Sequence, residues 1–304
     1  MSRSLQDALS GISGILVTPF DAEDRIAPAR LRPILDRALA AGLHVPVANG
    51  NTGEFYALTV DEAEAMAAEV VAMVAGRAPV LAGVGRSVGD ACRLARAAAR
   101  AGAAGLMVHQ PPDPFAAPRG VVDYVRRVAE AGDGLPVMLY LRNDAIGTGA
   151  IADLCAVPGV IGVKWATPNP LKLAEAIAAC EPVITWVGGL AEVWAPALYA
   201  VGARGFTSGL INIWPERSLA IHAALEAGDY AGARRLIADI AAFEAIRAME
   251  LNGTNVTGVK AALAAMGQDC GPTRPPAAWP LTPDQQARMA GFLERNGLLG
   301  VAVV

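Results

Sequence analysis

Lys164 ends an apolar run in Gly162-Val163-Lys164-Trp165, and a lysine is an informative residue there. Of the 25 basic side chains only Lys164, Lys172 and Lys260 are lysines, so where a fixed cation suffices this chain uses arginine. Apolar neighbours disfavour the ammonium form, and burial lowers a lysine pKa from its ordinary ~10.4. Brought to ~7–8, the amine becomes a nucleophile toward a carbonyl carbon, which a guanidinium does not. The alternative is a lysine whose stem packs in the core while its head pairs with a carboxylate such as Glu54. Lys172, in Asn169-Pro170-Leu171-Lys172, and Lys260, inside an alanine-rich helix, fit surface positions better.

Two more features could serve such an amine. Gly50-Asn51-Thr52-Gly53-Glu54-Phe55 places two glycines around polar residues, which lets backbone N–H groups converge on an anion such as a carboxylate. An ordinary turn is the other reading. Tyr140, in Leu139-Tyr140-Leu141-Arg142-Asn143-Asp144, offers a phenol that could relay protons, or simply pack.

These residues fall at the ends of short apolar runs that alternate with alanine-rich helical patterns. The runs are 14–18, 45–48, 79–83, 105–108, 136–140, 160–164, 185–187 and 205–208. Apolar without alternation, they read as parallel strands buried on both faces. Thr59 with Glu62 reads as a capping box opening a helix over 60–74, and Ser87 with Asp90 as a weaker start. Gly42, Gly102 and Gly202 suit the position after a helix end. Eight such units predict an α/β fold, a (β/α)8 TIM barrel with a C-terminal helical extension. The barrel is expected over 1–215, and 216–304 should hold its last helix and the extension, with helices over 230–250 and 257–266. A doubly wound sheet is the rival, but the turn after its first strand would be glycine-rich, where this chain has Thr18-Pro19-Phe20-Asp21. In a barrel of this kind the strands' C-terminal ends carry the active site.

Composition narrows the function. The 304 residues are 54% hydrophobic and 18% charged, ample for a large core, and the net charge of −4 is interspersed without a basic stripe for nucleic acid. Mean hydropathy is +0.37, yet no apolar run reaches 18 residues and the amino terminus lacks a signal-peptide pattern. Cys92, Cys155, Cys180 and Cys270 show no CxxC spacing, and His44, His109 and His222 are too few for a histidine-rich metal site. We expect reduced thiols in a cytoplasmic protein with no metal, nucleic-acid or membrane partner.

Together the features resemble the dihydrodipicolinate synthase / N-acetylneuraminate lyase superfamily of class I aldolases. The resemblance runs from Gly14-Ile15-Leu16-Val17-Thr18-Pro19-Phe20 through Gly50–Glu54, Tyr140 and Gly162–Lys164. It reaches Val259-Lys260-Ala261-Ala262 and Gly271-Pro272-Thr273-Arg274-Pro275-Pro276. It implies that Lys164 forms the Schiff base with a 2-keto acid, that Tyr140 relays protons and that Thr52 with the loop amides of Gly50, Asn51 and Gly53 holds the carboxylate. It also implies Gly188 and Gly189 beneath the substrate, no cofactor beyond the covalent adduct, and a homotetramer built as a dimer of dimers.

The chain departs from the synthase itself. Asn51-Thr52 stands where two threonines are usual, Val108-His109-Gln110-Pro111-Pro112 where a tyrosine pair is, and Ala145 near the arginine that grips the second substrate. Tyr140–Ala145, Asn49–Phe55 and Ser208 with Asn212 and Pro215 look closer to the 5-dehydro-4-deoxyglucarate dehydratases, although Trp165-Ala166 follows the lysine where Asp-Gly is usual there. The expectation is a dehydratase or aldolase of a 2-keto-3-deoxy sugar acid. Arg142 and Ser208 would contact substrate, His109 and Gln110 are further candidates, and Trp165 would narrow the site or fill space. The rivals are condensation of pyruvate with aspartate semialdehyde, and a ligand-binding barrel without catalysis.

Overall fold

The apolar runs form strands because each is buried on both faces, and their backbone groups can be satisfied only by pairing with one another. The computed structural model describes residues 4–181, 183–276 and 278–299; residues 1–3 and 300–304, at the ends of the two expected ranges, lie outside them. Among the described residues eight parallel strands close into a barrel in sequence order. They are β1 (Ile12–Ile15), β2 (Val45–Ala48), β3 (Leu81–Val84), β4 (Gly105–His109), β5 (Val137–Leu141), β6 (Val160–Trp165), β7 (Thr185–Gly188) and β8 (Phe206–Ser208).

The helices are α1 (Leu5–Leu9), α2 (Arg32–Ala41), α3 (Val60–Val74), α4 (Val88–Ala101), α5 (Pro118–Ala131), α6 (Thr148–Cys155), α7 (Pro170–Ala179), α8 (Ala191–Ala200) and α9 (Pro215–Glu226). Beyond them lie α10 (Tyr230–Arg247), α11 (Asn255–Ala265) and α12 (Pro283–Arg295). None of the described helices is long and apolar enough to cross a membrane. The Thr59–Glu62 capping box and the Ser87 cap open α3 and α4 as expected, and Gly42 and Gly102 close α2 and α4 in the left-handed conformation.

Alternation along each strand divides the core. Val45, Val47, Leu81, Met107, Met138 and Val187 fill the barrel interior, which α1 plugs from below with Leu5, Ala8 and Leu9. Residues of opposite parity, such as Val163, Trp165 and Phe206, pack outward against the helices. A bulge after Val160 resets β6, so that Met138 pairs with Gly162 and Tyr140 with Lys164. Gly162 thereby lies over Leu9, where a Cβ would collide, and Lys164 points into the open end.

β1 stops at Ile15, short of the expected Thr18. The next residues find partners elsewhere: the Val17 N–H donates to Asn212 Oδ1 and the Thr18 hydroxyl to the Gly53 carbonyl. The extension packs α10 against α8 and α9, and α11 and α12 against α10, with Phe243 stacked on Phe292 at 5.5 Å.

Candidate active site

β5 and β6 place their inward-facing end residues side by side. Lys164 is 3% exposed and its Nζ lies 3.8 Å from the centre of the Tyr140 ring. Among the described residues no carboxylate pairs with it. Burial, with the Arg142 guanidinium adding to it, brings the Lys164 amine down to about 7. Burial also pushes the Tyr140 phenol up to about 12, so it carries its proton at neutral pH. Asn51 Nδ2 donates to the phenol oxygen at 2.9 Å, which leaves the phenol hydrogen free to point at a substrate.

The loop after β2 brings Asn51 and Thr52 to the same cavity, of about 360 Å³. Asn49 starts it with a positive φ of 58°, and its side chain ties the loop to α3 through the Ala63 carbonyl. The glycines act differently from expectation. Gly50 packs against Ile15 and Gly53 against the Leu16 carbonyl, where any Cβ would collide. The Gly53 N–H is spent on the Gly50 carbonyl, and the Glu54 N–H on Asn51. Gly50 and Gly53 therefore shape the loop and do not line the cavity. The amides of Asn51 and Thr52 have no acceptor among the described residues, so they remain for an anion.

Glu54 takes a partner other than Lys164. Its Oε1 lies 2.6 Å from Lys260 Nζ and its Oε2 accepts from the Arg274 amide at 2.8 Å. Lys260 is thus buried, contrary to the surface position expected, and also donates to the Pro272 carbonyl and covers the Phe20 ring. Burial lowers its pKa, with Glu54 opposing. A compact ammonium meets these three partners where a planar guanidinium would not. Lys172 does lie toward the surface, paired with Glu175.

Other expectations are corrected by strand parity. Ser208 faces out of the barrel, and its hydroxyl is held by Glu192 and Ser218, because Phe206 and Ser208 share the outer face. Thr207 takes the inward place and lines the cavity. Gly188 likewise abuts Leu198 and Phe206 outside, whereas Gly189 lines the cavity and would clash with the Trp165 carbonyl if it carried a Cβ. Trp165 points outward, edge-on to Trp186, and fills space in the core between the strands and the outer helices. His109 is buried, stacked 4.3 Å from Phe55 with Nε2 on the Asn49 carbonyl, and burial takes its pKa down to about 3. It supports the loop and is not among the residues that line this cavity. Gln110 accepts the amides of Arg142 and Asn143, fastening the turn after β5. Arg142 reaches the rim of the cavity as expected.

Sequence reasoning missed Glu244, Arg247, Asn252 and Asn255, which bring α10, the short turn after it and α11 into the cavity wall. An Arg three residues after a Glu within Ala242-Phe243-Glu244-Ala245-Ile246-Arg247 was the available signal. Among the described residues no group of three or more His, Cys, Asp or Glu could hold a metal ion.

A closed parallel barrel whose strand ends bring together a buried amine without an ion-pair partner among the described residues, a phenol and two open amides holds a nucleophile, a proton carrier and an anion site in one cavity. The chain belongs to the dihydrodipicolinate synthetase family, whose family model matches residues 8–295, and it is a lyase of that family. It is 31% identical over 292 residues to a probable 5-dehydro-4-deoxyglucarate dehydratase of Rhizobium rhizogenes, covering 94% of this chain and 95% of that one. A protein of the same description from Xanthomonas campestris is 32% identical over 301 residues, covering 96% of each. The solved dihydrodipicolinate synthase of Bacillus clausii superposes with a TM-score of 0.92 at 35% identity, over 96% of this chain and 99% of that one. That of Oceanobacillus iheyensis gives 0.92 at 36%, over 96% and 98%.

Proposed function

We propose that the enzyme forms a Schiff base between Lys164 and the C2 keto group of a 2-keto-3-deoxy sugar acid, and then dehydrates it. The observation that carries this is the buried Lys164 amine, without a carboxylate partner among the described residues, lying on Tyr140 and sharing a cavity with Asn51 and Thr52. The substrate carboxylate sits on those amides and the Thr52 hydroxyl. Lys164 Nζ adds to C2, and Tyr140 passes a proton to the carbinolamine oxygen, which leaves as water. The iminium acidifies C3; the Tyr140 phenolate takes a C3 proton to give the enamine, whose electron pair expels the C4 hydroxyl as that proton passes to it, and water then hydrolyses the remaining Schiff base to release the product and free Lys164. The dehydratase-named relatives support this choice of substrate.

Borohydride trapping with pyruvate tests the adduct: mass mapping should place the reduced adduct on Lys164, and an adduct surviving Lys164→Ala defeats the reading. A panel of keto-deoxy sugar acids then tests dehydration. The likeness to solved synthases favours a second reading, condensation of pyruvate with aspartate semialdehyde, which a coupled assay separates from the first. We further propose a cofactor-free reaction, insensitive to chelators, in a cytoplasmic homotetramer. The four free cysteines accord with a reducing setting, and sedimentation analysis checks the assembly.

A further inference from the structure

The cavity is lopsided. Its lining comes from β1, the loop after β2, the ends of β5 and β6, the turn after β7 with the first turn of α8, the end of β8 with the turn after it, and then α10, the segment that follows it and α11; among the described residues nothing from β3 or β4 contributes. On the keto-acid reading above, on which this inference rests, C1 lies toward the loop after β2 and C2 on β6. The rest of the substrate chain must then run past Gly189 and Thr207 toward α10 and α11.

The wall it meets is held by its own hydrogen bonds. Arg247 is buried; its Nη1 donates to Glu244 Oε1 at 2.6 Å, and its Nε and Nη2 donate to Asn255 Oδ1 at 3.1 and 2.8 Å. Gly209 leaves the space in which this guanidinium lies, since a Cβ there would collide with Nη2. Three of the five guanidinium N–H groups are thus spent, and two remain. Asn255 Nδ2 has no acceptor among the described residues, and Glu244 Oε2 no donor. Donors and an acceptor are therefore left over on one wall, around a guanidinium that Glu244 already neutralises. That combination suits hydroxyl groups, each of which gives one hydrogen bond and takes others. It does not suit a carboxylate, which Glu244 would repel. The rim cation Arg142 has no ion-pair partner among the described residues and is the group left for a terminal carboxylate.

We propose that Glu244, Arg247 and Asn255 form a subsite for the hydroxyl-bearing tail of the substrate, selecting polyhydroxylated keto acids over bare-chained ones. The test compares 2-keto-3-deoxygluconate with 2-keto-4-hydroxyhexanoate, which keeps the reacting atoms and lacks the tail hydroxyls. Because removing one partner would strand a buried charge, the main variant is the neutral double substitution Glu244→Gln with Arg247→Gln. We expect kcat/KM for the hydroxylated acid to fall about 10- to 150-fold, the loss of a hydrogen bond to a charged group, and that for the bare acid less than about threefold.

An equal loss on both acids overturns the subsite. So does a loss seen only with 2-keto-3-deoxyglucarate, which would make Arg247 a carboxylate clamp. Asn255→Ala leaves the ion pair in place and must show the same substrate-selective pattern if the double variant does not fold; an unselective or absent effect counts against the proposal. Pyruvate trapping, which needs no tail, is run in parallel. If the wild type fails to trap pyruvate, the Schiff-base reading falls. The subsite is then judged by calorimetry, where gluconate must bind more tightly than hexanoate.

Discussion

The fold encloses Lys164 and, among the described residues, offers it no anion, which brings its amine down to about 7, and two measurements follow from that. The rate of reductive trapping with pyruvate should rise with pH and level off above an inflection near 7, the value to which burial and Arg142 bring the amine. A rate still climbing at pH 9 contradicts the burial argument. The same burial costs stability in a defined window. As pH falls from about 10.5 to about 7 the unfolded chain takes up a proton that the native amine refuses, so the penalty grows through that range and is complete below it. Lys164→Met should therefore raise the melting temperature more at pH 6.5 than at pH 10, while abolishing the adduct. His109 works in the acid range. Its native value of about 3 lies below the ordinary 6.5, so between these values the unfolded state gains a proton and the fold loses stability. His109→Gln should flatten the decline measured by urea denaturation between pH 6.5 and 4, and an unaltered slope would sink this account. Tyr140→Phe keeps the ring beneath Lys164 and loses the proton, so kcat should drop by about 10²–10⁴, and pyruvate should be trapped on Lys164 more slowly but to the same residue.

At the scale of elements, the loop after β2 is held from a distant part of the chain. Lys260→Met strands Glu54 in the core and should cost about 3–5 kcal/mol in chemical denaturation, much of it regained when Glu54→Gln is added. If the single and double variants are equally unstable, the pair is not what anchors the loop. This anchoring also shows what was legible in the sequence. The strands, the barrel, Lys164, Tyr140, Thr52 and Arg142 were readable because strand ends and local apolar runs mark them. The misplaced residues failed at two points. For Ser208 and Gly188 the strand end was right but the face was wrong, and counting parity from the outward Phe206 would have selected Thr207. Lys260 carries the same mark as Lys164, a lysine among apolar residues in a chain that otherwise uses arginine, and its alanine-rich helix hides that mark by looking like a surface helix. Glu244, Arg247 and Asn255 were beyond reach by strand logic, since they enter the mouth through helix packing.

For the whole molecule, α10–α12 complete the cavity and brace the loop, so the eight strands should not suffice. A chain ended at Gly228 keeps every strand and Lys164, yet should form no pyruvate adduct and melt without a sharp transition, as followed by trapping and calorimetry. A trapped adduct on that shortened chain would show the extension to be dispensable. The Glu54–Arg274 contact joins residues 220 positions apart, and this has a consequence in time. At ~5–20 residues per second, the loop leaves the ribosome roughly 10–40 s before its anchor does. During that interval the nascent chain holds a carboxylate meant for a buried ion pair whose lysine has yet to be made. Lys164 should therefore acquire its lowered pKa, and with it the power to trap pyruvate, only after the segment that carries Lys260 and Arg274 has emerged.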